Sequence, residues 1–495
     1  VRLQIDRYLF HAIAVRGLSS LERRLRRWGE NRHLIGGAVP EKNPDRTAEL
    51  RDVAARVVEL ARKSGASEAE AFTERSREAS ATVRAGEIEE LSEASSKGIG
   101  LRVIVGGRLG FASTTDFDPA ALETLARRAV ALAREAAPDA ANALPSGRDL
   151  KGDSSPISGL FDDAVADLDP GWKLRAAFEM ERAATAEDAR CNNFEGSGAG
   201  ESVSEWALAS SHGLVASERG TAVYLWCAPV AREGESLQTS SWSDTRRHLD
   251  ELDTPEAVGR EAARRTVRML GARKIPSCRV PVVFDPVMSA GFFGALTGAV
   301  NGDLVYKGAS FLGKLLGKRV AASSITLVDD ARLPGAVGST AFDGEGVPTA
   351  RLPIIEGGVL RAFLYDFRTA RKAHTRTTGH AKRGYASLPS IGPSNLRLEP
   401  GSVAPADILR GVRKGLYVTS MLGRGANVIT GDYSRGANGL WIEDGALTYP
   451  VQEVTVAGNL LQMMQSIDGI GNDLLVRGPV GAPTIRFAEL SVGGL

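Results

Sequence analysis

From Ala48 onward, apolar and polar positions alternate in blocks that predict discrete elements. AELRDVAARVVELARKSG repeats apolar residues at helical spacing and stops at a glycine, as helices tend to. EAEAFTERSREASATVRAGEIEELSEAS then reads as two alternating strand stretches broken at Ala85-Gly86, and GIGLRVIVGGRLGFAST as a hairpin turning at Gly106-Gly107. ALETLARRAVALAREAA is a second helix, so the first unit is helix, four strands, helix. A Pro-, Ser-, Gly- and Asp-rich loop over 138–158 reads as a linker, and the same order then recurs. A helix over DPGWKLRAAFEMERAATAED leads into strands, and a helix over TPEAVGREAARRTVRMLGA closes the block, which suggests an architectural duplication. Past Pro276 a strand, VPVVFDP, enters an apolar, small-residue helix pattern around Phe292, and short strands then alternate with Gly, Asp and Pro turns. Asp444-Gly445 within GLWIEDGALTYPV is a strong hairpin signal.

These patterns predict an α+β protein. Helix-plus-antiparallel-sheet domains are expected over 48–145 and 159–273, with a β-rich domain over 277–495. A length of 495 residues agrees with several cores. Residues 1–47 stand apart: arginines crowd LERRLRRWGENRH, which is either a basic arm for an acidic partner or a dispensable extension. Lys plus Arg (61) nearly balances Asp plus Glu (60), so no global field favours a phosphate backbone, and nucleic-acid binding is not expected. No apolar run approaches the ~20 residues that span a bilayer, and a cytoplasmic location is expected by default. Cys191, Cys227 and Cys278 are isolated, without CxxC spacing, and are expected to be structural thiols.

Several motifs fall short of the chemistry they resemble. GASFLGKL has the GxxxxGK spacing of a nucleotide-binding loop, but Leu315 stands where a Ser or Thr hydroxyl must hold magnesium. GDYSRG resembles a nucleophile elbow, yet Asp432 takes the place of the first glycine, which the sharp turn requires. EGSGAG lacks the strand-to-helix context of a dinucleotide loop. The six histidines include no pair one helical turn apart, so a metal site would have to be assembled from distant segments.

The stretch over 415–474, with ITGDYSRGANGLWIEDG and YPVQEVTVAGN, closely resembles the TldD/PmbA family, once called modulators of DNA gyrase, and in particular its PmbA, or TldE, branch. YKGASFLGKLLG, TLVDD, FDGEGVPT, TTGHAKRGYASLPSIGPSN and EIEELSEASSKGIGLRVIVGGRLGFAST agree in order, so the resemblance runs from about Ala48 to the C-terminus. It implies a peptidase in which a TldD-type and a TldE-type subunit pair around one zinc site and cleave unstructured peptides. In the TldD branch the zinc is held by an HExxxH helix and a cysteine near the C-terminus. Here GALTGAVNGD occupies the place of that helix with small or apolar residues, and GNDLLVRGPVGAPTIRF has no cysteine. The resemblance therefore implies a subunit with no catalytic or metal-ligating residue and no cofactor of its own, the zinc lying in a TldD-like partner. It would not be catalytic alone, and would hold an extended peptide and complete the dimer. Asp343, Glu345, Arg383, Tyr433, Ser434 and Arg435 are the candidate substrate-binding or partner-facing residues. The alternative is a non-hydrolytic, peptide-binding or chaperone-like homodimer; a homodimer is also conceivable for the isolated subunit.

Overall fold

The computed structural model describes residues 45–423 and 425–495, so most of the basic segment over 1–47 lies outside the described residues. The first block is a Thr47–Lys63 helix, β1 (Glu68–Arg84), β2 (Glu87–Val105), β3 (Arg108–Thr114) and a Pro119–Glu135 helix. Both hairpin turns fall where the sequence predicts them. Ala85 and Gly86 (φ 50° and 79°) and Gly106 and Gly107 (φ 57° and 74°) take the left-handed conformation that a tight two-residue hairpin needs. The block has three strands rather than the expected four, because β2 runs unbroken through Gly98. That glycine is not a turn but a place of close approach. A Cβ there would lie 2.2 Å from the ring of Tyr385, and one on Gly100 would lie 2.0 Å from the Tyr385 carbonyl oxygen.

The second block repeats the order with a Pro170–Glu187 helix, β4 (Cys191–Ser210), β5 (Val215–Glu233), β6 (Ser236–Thr239), β7 (Trp242–Arg246) and a Pro255–Val267 helix. Its strands join those of the first block in one seven-stranded antiparallel sheet, ordered β3-β2-β1-β4-β5-β6, with β7 also on β5. At about 3.3 Å per residue the 17 residues of β1 extend for roughly 55 Å, long enough to carry both helix pairs side by side. Strand alternation decides which face does so. Odd-numbered Ala69 and Ala71 pack under the first helix pair, and Ala81 and Val83 under the second. Even-numbered Glu70, Phe72 and Glu74 consequently point to the opposite face, where the C-terminal region sits.

In that region β8 (Cys278–Phe284) lies between the Lys414–Leu422 and Ile485–Gly493 strands, parallel to the first and antiparallel to the second. The Asp432–Glu443 and Ala446–Asn459 strands continue this sheet, and pairing of Thr455–Ala457 with Ser491–Gly493 closes it into a barrel. The Pro286–Ala295 helix, N-capped by the Asp285 carboxylate, packs against the barrel through Phe292. That ring meets Phe284, Phe487 and Tyr433 edge-on at centroid distances of 6.2, 5.4 and 5.8 Å. The helix is shorter than the sequence pattern suggests. It ends at Ala295, and Asn301 caps a separate Gly302–Tyr306 helix by accepting from the Asp303 and Leu304 amides. The described residues thus form an α+β structure with a β-rich C-terminal region, and none of their helices is long and apolar enough to cross a membrane.

Specific contacts fix the C-terminal region against the sheet. Arg247 donates to the carbonyls of Val337 and Ser339, and Trp242 is sandwiched between the guanidinium groups of Arg265 (4.1 Å) and Arg477 (3.9 Å). Placing a larger residue under Tyr385 tests the glycine contact. Gly98→Val is expected to cost about 1–3 kcal/mol, the usual range for overpacking. Tyr385→Ala in the same chain should recover most of the part due to the clash. Urea-unfolding midpoints of the two single variants and the double variant check this, and strictly additive effects would refute it.

Candidate functional site

Between the sheet and the C-terminal region lies a sealed cluster of charges. Glu70 on β1 and Arg102 on β2 are direct cross-strand partners on the even-numbered face, with Arg102 Nη2 donating to Glu70 Oε2 at 3.0 Å. The other arm of the Arg102 fork, Nη1, donates to Glu345 Oε1 at 2.7 Å. Glu345 Oε2 in turn accepts the Phe367 amide at 2.7 Å. Arg383 reaches Glu70 from the C-terminal side, donating to Oε1, and its guanidinium lies 5.2 Å from the Phe72 ring. Asp343 completes the group. It accepts the Glu345 and Val347 amides on Oδ1 (2.9 and 3.0 Å) and the Ala381 amide on Oδ2 (3.1 Å), tying the 343–347 turn to the strand that leads into Arg383.

Burial governs the electrostatics here. It pushes the Asp343 carboxyl up to about 7, helped by the Glu345 charge beside it and opposed by the three amide donors. Burial also raises Glu345, against the pull of Arg102. It lowers Arg383, against the pull of Glu70. For Arg102, desolvation is outweighed by the carboxylates of Glu70 and Glu345, and its pKa rises. With side-chain exposures of 4% or less for Glu70, Arg102, Glu345 and Arg383, the group cannot touch a peptide in this arrangement. Its chemistry is that of a clasp between two parts of the chain.

The structure therefore brings together three of the six residues singled out in sequence, Asp343, Glu345 and Arg383, inside the chain rather than on a substrate-facing surface. It places the other three elsewhere, on the Asp432–Glu443 strand. Tyr433 is buried against Phe292, and its hydroxyl lies 3.0 Å from Met421 Sδ; burial pushes that hydroxyl up to about 12. Ser434 is exposed and Arg435 half-buried. Glu70 and Arg102, two of the five members of the clasp, were missed by sequence reasoning. The signal was partial: Arg102 is the one charge within GLRVIV, whereas Glu70 follows Glu68 in EAEAF, and a charge in a buried strand needs a partner.

Among the described residues, no group of three or more His, Cys, Asp or Glu side chains is placed to hold a metal ion. The Pro286–Ala295 helix carries no ionisable side chain, and the imidazole of His380 is buried between Asp329 Oδ2 (3.0 Å) and the Thr378 carbonyl (2.7 Å).

Two measurements probe the clasp. Arg102→Met leaves Glu70 and Glu345 buried without their shared cation and is expected to cost about 3–5 kcal/mol in urea unfolding; a loss under 1 kcal/mol would show the clasp to be incidental. Asp343 has a folded pKa raised above its unfolded value of about 3.9, so its contribution is fully present below about pH 3.9 and is lost as pH rises through about 7. Stability of Asp343→Asn relative to the parent should therefore rise between these limits, by up to about 1.4 kcal/mol per pH unit. Parallel stability profiles for the two chains would contradict this.

Comparison with known proteins places this architecture. Residues 69–133, 163–270 and 277–494 match the models for PmbA/TldA metallopeptidase domain 1, central domain and C-terminal domain. The chain is 33% identical over 446 residues to the metalloprotease PmbA of Escherichia coli O157:H7, covering 90% of this chain and 96% of that one. It is 31% identical over 447 residues to a PmbA homolog of Haemophilus influenzae, with the same coverage of both chains. Among solved structures, a putative modulator of DNA gyrase from Bacteroides thetaiotaomicron superposes with a TM-score of 0.84 at 29% identity, covering 91% of this chain and all of that one. TldE from Thermococcus kodakarensis superposes with a TM-score of 0.81 at 25% identity, covering 89% of this chain and all of that one. With its three domain models matched in order and a relative aligned almost end to end, the chain belongs to the PmbA/TldD metallopeptidase family.

Proposed function

We propose that this chain is the TldE/PmbA-like subunit of a two-subunit metallopeptidase acting on unstructured peptides, and that it holds substrate and completes the dimer while a TldD-like partner holds the zinc. The observation that carries this reading is the side-chain chemistry of the Pro286–Ala295 helix and the turns after it, residues 286–301. Hydrolysis of an amide needs an activated water, and a zinc ion that supplies one must itself be held by His, Cys or carboxylate ligands. This segment offers Met, Ser, Thr, Asn, Phe, Val, Leu and small residues in their place. Its best-buried rings, Phe292 and Phe293, are committed to packing. Its outward positions are bare: a Cβ on Gly291 would meet nothing within 4 Å, and one on Gly294 would meet only the methyls of Val480, at 3.9 Å or beyond. The chain's own packing therefore does not demand glycine at Gly291, whereas close approach of another backbone would. Exposed Ser434 and half-buried Arg435 are the sequence candidates left to face a peptide or partner.

The decisive experiment is a peptide-cleavage assay with metal analysis on this chain alone, on a TldD-like partner alone, and on the two mixed. The expected result is turnover that needs the partner and is raised by this chain, with no stoichiometric zinc in this chain by itself. Stoichiometric zinc and turnover in the isolated chain would sink the reading; a stable homodimer that captures peptide but never alters the partner's cleavage would favour the chaperone-like alternative. A finer check is Gly291→Ala. In the isolated chain it should raise stability by roughly 0.5–1 kcal/mol through helix propensity alone. In the mixed complex it should lower turnover, and equal turnover would remove the close-approach argument.

A further inference from the structure

Beyond the clasp, the even-numbered face of the sheet carries a small aromatic platform. Three rows of residues cross it from β1 through β4 to β5: Thr82, Gly198 and Trp226; Ser80, Gly200 and Tyr224; Glu78, Ser202 and Ala222. The two aromatic side chains lie over the glycines beside them. A Cβ on Gly198 would be 2.5 Å from Trp226 Nε1, one on Gly196 2.9 Å from Trp226 Cη2, and one on Gly200 2.4 Å from the Tyr224 hydroxyl oxygen. The rings therefore take the space that side chains on β4 would fill, and rest on its backbone. The Tyr224 hydroxyl is held by the Ser80 side chain. Both rings are half-buried, and among the described residues no other ring and no cation covers either of them.

Spacing and charge select the occupant. Successive rows are two residues apart, about 6.6 Å, which is also the repeat of side chains along one side of an extended peptide. A peptide lying over β4 and along it would thus meet Trp226, Tyr224 and the Glu78 row with its residues i, i+2 and i+4. An aromatic side chain can stack on each ring or meet it edge-on. In the next row Glu78 is exposed and has no hydrogen bond or ion pair among the described residues, so a cation suits that position. Arg84, past Thr82 at the other end, is already engaged. Its Nε donates to the Phe194 carbonyl at 3.2 Å, its Nη1 lies 3.7 Å from Glu89, and Glu87 is its cross-strand partner. With Glu90 also exposed beside Thr82, the Trp226 end does not repel such a cation.

We propose that the Tyr224 and Trp226 platform binds an extended peptide segment with aromatic side chains at two alternate positions and Lys or Arg at the next, the rings on Trp226 and Tyr224 and the cation beside Glu78. This rests on the substrate-holding role proposed above and names the class of segment that role favours.

The test is fluorescence anisotropy with labelled peptides in a Gly/Ser background and the isolated chain. The first probe carries the core Lys-Ser-Phe-Ser-Phe-Ser-Lys, which reads the same in both chain directions. Three controls change one feature each: Leu for both Phe, the two Phe made adjacent at unchanged composition, and Glu for both Lys. The first probe should bind, and the Leu and adjacent-Phe peptides should bind about ten-fold more weakly. The Glu peptide should bind at least about three-fold more weakly at low ionic strength. Tyr224→Leu with Trp226→Leu keeps an apolar cover on the glycines and should erase the preference for Phe over Leu. Glu78→Lys, at an exposed position, should abolish the preference for Lys over Glu and keep the ring preference, so the assignment is still tested if the double variant does not fold. No binding, equal binding of Phe and Leu peptides, indifference to Phe spacing, or an unchanged charge preference in Glu78→Lys would each overturn the proposal. Mixing with a TldD-like partner separates the two claims. If this chain raises cleavage while the platform shows no ring preference, only the platform falls; if the platform binds but cleavage never responds, the subunit reading falls.

Discussion

The arrangement of this molecule depends on a guanidinium shared between two carboxylates. Arg102 takes Glu70 from its own sheet and Glu345 from the C-terminal region, and Arg383 returns from that region to Glu70. Stripping these groups of water is expensive, so the network is weak evidence for net stability. What it supplies is position. Apolar surfaces can slide across one another at little cost, whereas moving the 343–347 turn by a few ångströms would leave buried charges facing nothing. The three amides on Asp343 stiffen that turn, and Tyr385 seated over Gly98 and Gly100 fixes the loop after Arg383.

That single docking geometry divides the sheet. The odd-numbered face of β1 is covered along its length by two helix pairs, because its residues there are alanine, valine and threonine apart from Arg75 and Arg77. Among the described residues, the C-terminal region covers the even-numbered face near the clasp, from Glu70 to Glu74. Beyond Tyr385 it continues with Ser76, Glu78, Ser80, Thr82 and Arg84, and β2 outruns β3 there. The boundary between covered and open strand thus falls at Gly98, the glycine that admits the aromatic ring.

Local chemistry was readable from sequence where local chemistry decides. The helices over Thr47–Lys63 and Pro119–Glu135 follow from apolar spacing, and the turns at Ala85-Gly86, Gly106-Gly107 and Asp444-Gly445 from the glycine in each, which accepts positive φ. Gly98 and Gly100 misled, since a glycine in a strand reads equally as a break or as room for a neighbour, and the neighbour here lies almost 300 residues away in sequence. Pairing of β1 with β4 and closure of the barrel by Thr455–Ala457 with Ser491–Gly493 are long-range choices that no local pattern records. The clasp was partly legible. Asp343, Glu345 and Arg383 stood out through motif resemblance, while Glu70 and Arg102 sat inside strand patterns that alternation alone treats as ordinary.

The same logic bears on the helix from Pro286 to Ala295. In a helix built to bind a metal, the side chains that hold the ion must project from a backbone fixed by packing on its other face. Here the packing face is present, with Phe292 wedged among Phe284, Phe487 and Tyr433, while Gly291 and Gly294 project nothing. Packing on one face thus holds a smooth backbone surface in a fixed place. Glycine in a helix interior costs stability, and at Gly291 no neighbour among the described residues crowds the position.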